Sequence, residues 1–216
     1  ASGVTPGPHP HIANMLHELS GPAGTHAILE YCDGGSLERH LKHVAKKHNS
    51  WSEDAGMAEA EVAPLVRQMG SGLAHLHHLG VAHRDIKPGN ILFATAPDGK
   101  RTLKLCDFGF AIRCHSHKLK DRVGTLIYKA PELCSINARG SGYLGRPVDM
   151  WALGAVAFEM LHGKLAFYGN NVGDIEVRIC GGCPEFKRAL SSGARQLVHA
   201  LLTVDVPKRW NADDVL

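Results

Sequence analysis

Four residues of the stretch HRDIKPGNIL, positions 83–92, could do chemistry together: Arg84, Asp85, Lys87 and Asn90, two cations, a carboxylate and a carboxamide within seven positions. Phosphoryl transfer from a nucleotide needs these types of group. It takes a carboxylate to orient the attacking hydroxyl, oxygen ligands for Mg²⁺, and cations against the charge of the moving group. Asp85 suits the first role, Asn90 the second and Lys87 the third. Asp107, at the end of a later apolar run, offers a second metal carboxylate, and Gly109 after it offers a backbone free to turn sharply. Taken singly, each has a plainer reading: Asp85 as a turn cap, Arg84 with Asp107 as a surface ion pair, Asn90 as a partner for backbone groups.

The elements that must position these residues can be read from punctuation and periodicity. HIANMLHEL (11–19) and HAILEY (26–31) read as short strands joined by the Gly/Pro cluster SGPAGT. Asp33, Gly34 and Gly35 break the second strand, and Ser36 is placed to cap a helix through Leu37, Leu41 and Val44. Val62, Leu65, Val66, Met69, Leu73 and Leu76 recur at intervals of three and four, which predicts an amphipathic helix ending near Gly80. Residues 90–109 hold two apolar runs around Pro97-Asp98-Gly99, a second hairpin, and Phe110 to Gly124 has the polarity of a loop. Met150 to Leu161 is apolar nearly all round, the mark of a buried central helix, and shorter helices are expected over 172–180 and 191–203.

Composition narrows the function classes. The chain has 216 residues, 44 % hydrophobic and 21 % charged, with a formal charge of +3 that is too small and too scattered to argue for nucleic acid. The longest apolar stretch is too short for a bilayer, and the N-terminal residues show no secretory pattern. Six cysteines without framework spacing fit a reducing compartment, so a cytoplasmic or nuclear setting is expected. Cys180 and Cys183 form a lone C-x-x-C, read as two thiols around a Gly-Gly turn, and the fifteen histidines follow no recurrent ligand spacing.

The order of motifs adds to this reading. HRDIKPGN resembles the catalytic loop of eukaryotic protein kinases, DFG at 107–109 their metal-binding triplet, and APE at 130–132 the end of their activation segment. DMWALG at 149–154 is similar to the start of their central buried helix, and DVPKRW at 205–210 to the segment whose arginine, Arg209, pairs with the glutamate of APE, Glu132. The resemblance covers essentially the whole chain. It implies an α+β, kinase-like bilobal fold: a remnant of the β small lobe over 1–29, a hinge over 30–36, and a helical large lobe over 37–216.

It also implies a set of roles. Asp85 would be the catalytic aspartate, Asn90 and Asp107 the ligands of Mg²⁺, and Lys87 the serine/threonine-kinase cation beside the substrate hydroxyl. Thr125 would brace Asp85 and Lys87, and Asp149 would anchor the catalytic-loop backbone. For ATP, Leu29 would be the gatekeeper, the backbone of Glu30 and Cys32 would meet the adenine edge, Leu92 would lie beneath the ring and Cys106 would line the pocket. His83 and Phe108 would stack in the apolar spine, with Met15 above. The partners implied are ATP and a protein bearing Ser or Thr; EYCDGGSL and DFGFA are most similar to unc-51-like kinases, GTLIYKAPE to Aurora-type and polo-type segments.

Three other features belonging to that pattern, a G-x-G-x-x-G loop, a VAIK-like lysine strand and a helix with its glutamate, are not found in these residues. HPHIANML matches the strand that follows them, so they are expected upstream of residue 1 or not at all. The chain on its own is then expected to have weak or no kinase activity. Alternative readings are a pseudokinase or interaction module, and a binding domain that shares only the fold. Between Phe110 and Val123 the only hydroxyl is Ser116, and Asp121 stands three residues before Gly124. Asp121 is expected either to pair with Arg84 in place of a phosphate or to be a solvated aspartate among Lys118, Lys120 and Arg122.

Overall fold

A computed structural model describes residues 8–22, 24–47, 56–95, 99–114, 117–134 and 142–216. In chain order the elements are β1 (Met15–Gly21), β2 (Gly24–Leu29), α1 (Leu37–Lys47), α2 (Glu59–His78), β3 (Val81–Ala82), β4 (Ile91–Thr95), β5 (Arg101–Leu105), β6 (Ile112–Arg113), α3 (Gly145–His162), α4 (Val172–Gly181) and α5 (Ser192–Leu201). The architecture is mixed α and β, with helices forming most of the body. Among the described residues the strands pair in three antiparallel two-stranded ladders: β1 with β2, β3 with β6, and β4 with β5.

The helices form where the apolar spacing places them. Ser36 Oγ accepts the Arg39 N–H at 3.2 Å and starts α1. At the head of α2 the Glu61 carboxylate accepts the Ala58 N–H at 3.1 Å, and its apolar stripe Val62, Val66, Met69, Leu73 and Leu76 is buried. The central helix α3 is buried on nearly every side, as its unbroken apolar sequence requires. Trp151 at its middle stacks on Phe167, ring centroids 5.6 Å apart, and Gly163 ends it in a left-handed turn (φ 65), donating to the Glu159 carbonyl. None of the helices among the described residues is long and apolar enough to cross a membrane.

The β4–β5 hairpin is the junction of the molecule. On one edge Gly34 donates to the Phe93 carbonyl and Phe93 to that of Gly35, fixing the chain just after Asp33. A side chain at Gly34 would meet Phe93 Cβ at 2.6 Å, so this approach requires glycine. On the other edge Ala13 donates to the Leu105 carbonyl and Leu105 to that of His11. The β1–β2 ladder lies outside the core, with Met15, Leu16, Leu19, Ile28 and Leu29 exposed.

Two sequence expectations take a different form. The segment after Phe110 is not wholly irregular, because Ile112 and Arg113 pair with β3 and Leu119 exchanges hydrogen bonds with Tyr143. The sharp turn at 107–109 is made by Asp107 itself, at φ 61, and Gly109 is not among the residues with positive φ. Ser116 and the expected hairpin tip Pro97-Asp98 lie outside the described residues.

Candidate active site

Asp85 sits between β3 and β4 on a loop whose backbone is tied down from beneath. The carboxylate of Asp149, fully buried on α3, accepts the His83 N–H at 2.9 Å and the Arg84 N–H at 2.7 Å. His77 Nε2 lies 2.8 Å from the same carboxylate. These bonds hold Arg84 in the left-handed region (φ 68), where a non-glycine residue is strained and persists only if its surroundings fix it. The chain then turns Asp85 inward.

The Asp85 carboxylate is met by donors on both oxygens. Oδ2 accepts from Lys87 Nζ at 2.7 Å and Asn90 Nδ2 at 2.9 Å, and Oδ1 from the Thr125 N–H at 3.1 Å and Oγ1 at 3.0 Å. Lys87 Nζ also donates to Thr125 Oγ1 at 3.1 Å, closing the ring of contacts. Burial alone would raise the pKa of Asp85, but the bonds from Lys87, Thr125 and Asn90 outweigh it and hold the carboxyl below its ordinary value, so it is ionised at neutral pH. Thr125 reaches Asp85 because Gly124, at φ 92, lets the segment pass the Arg84 carbonyl, which a side chain there would meet at 2.6 Å.

Both side-chain amide hydrogens of Asn90 go to Asp85, to its main-chain carbonyl and to its carboxylate, which leaves the side-chain oxygen Oδ1 of Asn90 as the atom able to ligate. The exposed Asp107 carboxylate accepts only the Gly109 N–H at 3.2 Å among the described residues. Two oxygen donors of this kind suit Mg²⁺, which takes one or two protein oxygens and fills its octahedron with phosphate and water. Asp107 follows Cys106, whose N–H donates to the main-chain carbonyl of Asn90 at 2.9 Å, so the segments carrying Asn90 and Asp107 are joined by backbone.

Beside these residues lies the segment that leaves β2. The Glu30 N–H donates to the Asn14 carbonyl, and its carboxylate accepts the Asn14 N–H at 2.7 Å and pairs with the buried Lys104 at 2.8 Å. The Glu30 carbonyl and the Cys32 N–H take no partner among the described residues. Leu29 ends β2 with its side chain exposed, and Leu92 pairs across β4–β5 with Lys104. Cys106 is near enough to Cys32 to interact electrostatically; burial first, then Asp107 and Cys32, push its thiol up to about 11. His83 and Phe108 are in contact, but their rings are tilted by 54° with centroids 5.0 Å apart where a stack was expected, and His83 Nε2 lies 3.0 Å from the Cys106 carbonyl.

Two longer-range pairs read from the motifs also form. Arg209 grips Glu132 with two parallel bonds, of 2.7 and 3.0 Å. Arg84 gives Nη1 to both oxygens of Asp121, at 2.8 and 2.7 Å, and to the Tyr143 hydroxyl at 3.0 Å, and gives Nε to the Phe110 carbonyl at 2.7 Å. Of the two expectations for Asp121, the pair with Arg84 forms, although about half of the Asp121 side chain stays exposed.

Sequence reasoning missed Glu38, Tyr128 and Glu159. They line a groove of about 390 Å³ that also touches Lys87 and Thr125. Tyr128 donates to Glu159 at 2.7 Å, and burial, with the nearby Glu38 adding to it, raises the Glu159 pKa. An acidic residue inside the otherwise apolar helix of 150–161 was the available signal.

Residues 4–216 match the protein kinase domain family. The chain is 33 % identical to the serine/threonine protein kinase OSK3 of Oryza sativa subsp. indica, over 93 % of this chain and 36 % of the relative. It is 32 % identical to the maternal embryonic leucine zipper kinase of Xenopus tropicalis, over 96 % of this chain and 30 % of the relative. It is also 32 % identical to the carbon catabolite-derepressing protein kinase of Secale cereale, over 96 % of this chain and 38 % of the relative. The chain thus spans about a third of the length of these relatives.

Proposed function

Because the chain belongs to the protein kinase domain family, we propose that it is the catalytic unit of a serine/threonine protein kinase, moving the γ-phosphoryl group of ATP to a Ser or Thr hydroxyl of a protein. Protein kinase domains generally use ATP with Mg²⁺. The matches to named serine/threonine kinases do not favour a non-catalytic interaction module.

The observation that carries the reading is the closed network of Asp85, Lys87, Asn90 and Thr125. In it the ionised Asp85 orients the acceptor hydroxyl and takes up its proton, while Lys87 holds a positive charge beside the reacting oxygen. Thr125 keeps both in place. Asn90 and Asp107 would hold Mg²⁺, which when bound offsets the charge of the β- and γ-phosphates. The Glu30 carbonyl and the Cys32 N–H would pair with the adenine edge, Leu29, Leu92 and Cys106 lining its pocket.

The test joins the chain to a small lobe supplying a Gly-rich loop and a phosphate-binding lysine, and measures phosphate incorporation into myelin basic protein. Ser and Thr phosphorylation is expected, falling about 100-fold or more in Asp85→Asn. Equal activity in the variant would end the proposal.

A further inference from the structure

The C-x-x-C of Cys180 and Cys183 has no part in the chemistry of Asp85, and the fold pairs its thiols otherwise than their spacing suggests. Cys180 lies in the last turn of α4, and Gly182, at φ 72, ends that helix in a left-handed turn, its N–H donating to the Arg178 and Ile179 carbonyls. Beyond the turn Cys183 is exposed, and its sulfur has only the Pro184 carbonyl, at 3.8 Å, as a partner among the described residues.

Cys180 meets instead a cysteine 46 positions earlier in the chain. Cys134 is 1 % exposed and follows the short turn Pro131–Leu133, against which α4 packs. The two thiols share a hydrogen bond, Cys134 within the core and Cys180 lying on it. Sulfurs in such contact already meet the first condition for a disulfide, which cysteines held apart cannot meet without backbone movement. Burial first, then Cys180 and Glu176, push the Cys134 thiol up to about 12; Cys180 is raised too, its bond to Cys134 working against its burial. Cys134 is closed to reagents in solvent, whereas Cys180 is partly exposed and is the sulfur that a small oxidant can reach.

We infer that Cys134 and Cys180 are a modification site, forming a reversible disulfide under hydrogen peroxide that fastens α4 to the turn after Ala130. The Cys180 thiolate attacks one oxygen of the peroxide, the O–O bond breaks, hydroxide leaves and a sulfenic acid forms. The sulfur of Cys134 then attacks that sulfur; the S–S bond forms, the S–O bond breaks, and the Cys134 proton leaves with the hydroxyl as water. Two thiols are oxidised and one peroxide is reduced to two waters. The bridge closes a loop that contains α3, which restricts the unfolded chain, and it ties α4 to the segment carrying Glu132. The inference is independent of the kinase reading, since neither thiol is among the partners of Asp85.

The test treats the reduced chain with hydrogen peroxide, blocks the remaining thiols with iodoacetamide in denaturant, and maps the linkages by mass spectrometry of the unreduced digest. The Cys134–Cys180 linkage is expected to exceed any other by about tenfold or more. It should vanish with dithiothreitol and raise the melting temperature by about 5–10 °C. Cys183→Ser should keep both the linkage and the shift. Cys180→Ser, at a partly exposed position where the substitution spares the core, should lose both and leave Cys134 to be alkylated. A Cys180–Cys183 linkage as the main product, oxidation of Cys180 to sulfinic acid with Cys134 still reduced, or an unchanged melting temperature in the linked chain would overturn the proposal.

Discussion

Replacing Asp121 by Asn tests whether its ion pair with Arg84 orders the segment between Phe110 and Ala130. The Arg84 side chain is 6 % exposed and the Asp121 side chain 49 %. Burial alone would lower the pKa of Arg84; the bonds to Asp121 and Tyr143 more than offset this and raise it, so the guanidinium is held charged. A hydrogen bond to a desolvated charge contributes about 1.5–3 kcal/mol and an exposed ion pair about 0.2–1. With one partner buried and the other half in water, the pair should contribute about 1 kcal/mol to the ordered segment. Asn keeps the shape and loses the charge, which lowers the ratio of ordered to open segment by about fivefold. The readouts are tryptic cleavage at Lys118 and Lys120, and hydrogen exchange at the Leu119 N–H, which donates to the Tyr143 carbonyl at 2.8 Å. Both rates should rise about fivefold in Asp121→Asn and recover in Asp121→Glu. Unchanged rates would show that Tyr143 and Phe110 hold Arg84 without help, and the reasoning would fail.

Other predictions follow from the same geometry. The folded pKa of Asp85 lies below its ordinary value near 4, so its contribution to stability is complete above that range and is lost as pH falls through the lower folded value. Asp85→Asn should therefore flatten part of the acid limb of melting temperature against pH. With its thiol near 11, Cys106 is about one part in a thousand thiolate at pH 8, and burial pushes Cys134 up to about 12. Mass spectrometry after brief iodoacetamide treatment should find the exposed Cys183 labelled and these two intact.

Helix positions were legible because the apolar spacing of Val62 to Leu76 and the unbroken run of Met150 to Leu161 leave one way to bury each. The central network was legible because its members lie close in sequence or on motifs of fixed order, and the Arg84–Asp121 pair because one candidate anion stood at a fixed distance from Gly124. Other features depend on tertiary closure. Glu38 and Glu159 stand 121 residues apart and come to line one groove only in the folded chain. Nothing local in the sequence places Asp107 at positive φ.

The strained backbone at Arg84 and Asp107 sets an order of events. Each φ above 60° costs a non-glycine residue about 1–2 kcal/mol, so neither geometry can form early on local preference. Arg84 is held only once α3 is in place to offer the Asp149 carboxylate to its N–H. The helical core must therefore assemble before the loop of Asp85 acquires its shape. The same dependence makes the reactive centre a late and separately reversible part of the fold, able to let go while the helices beneath it stay packed.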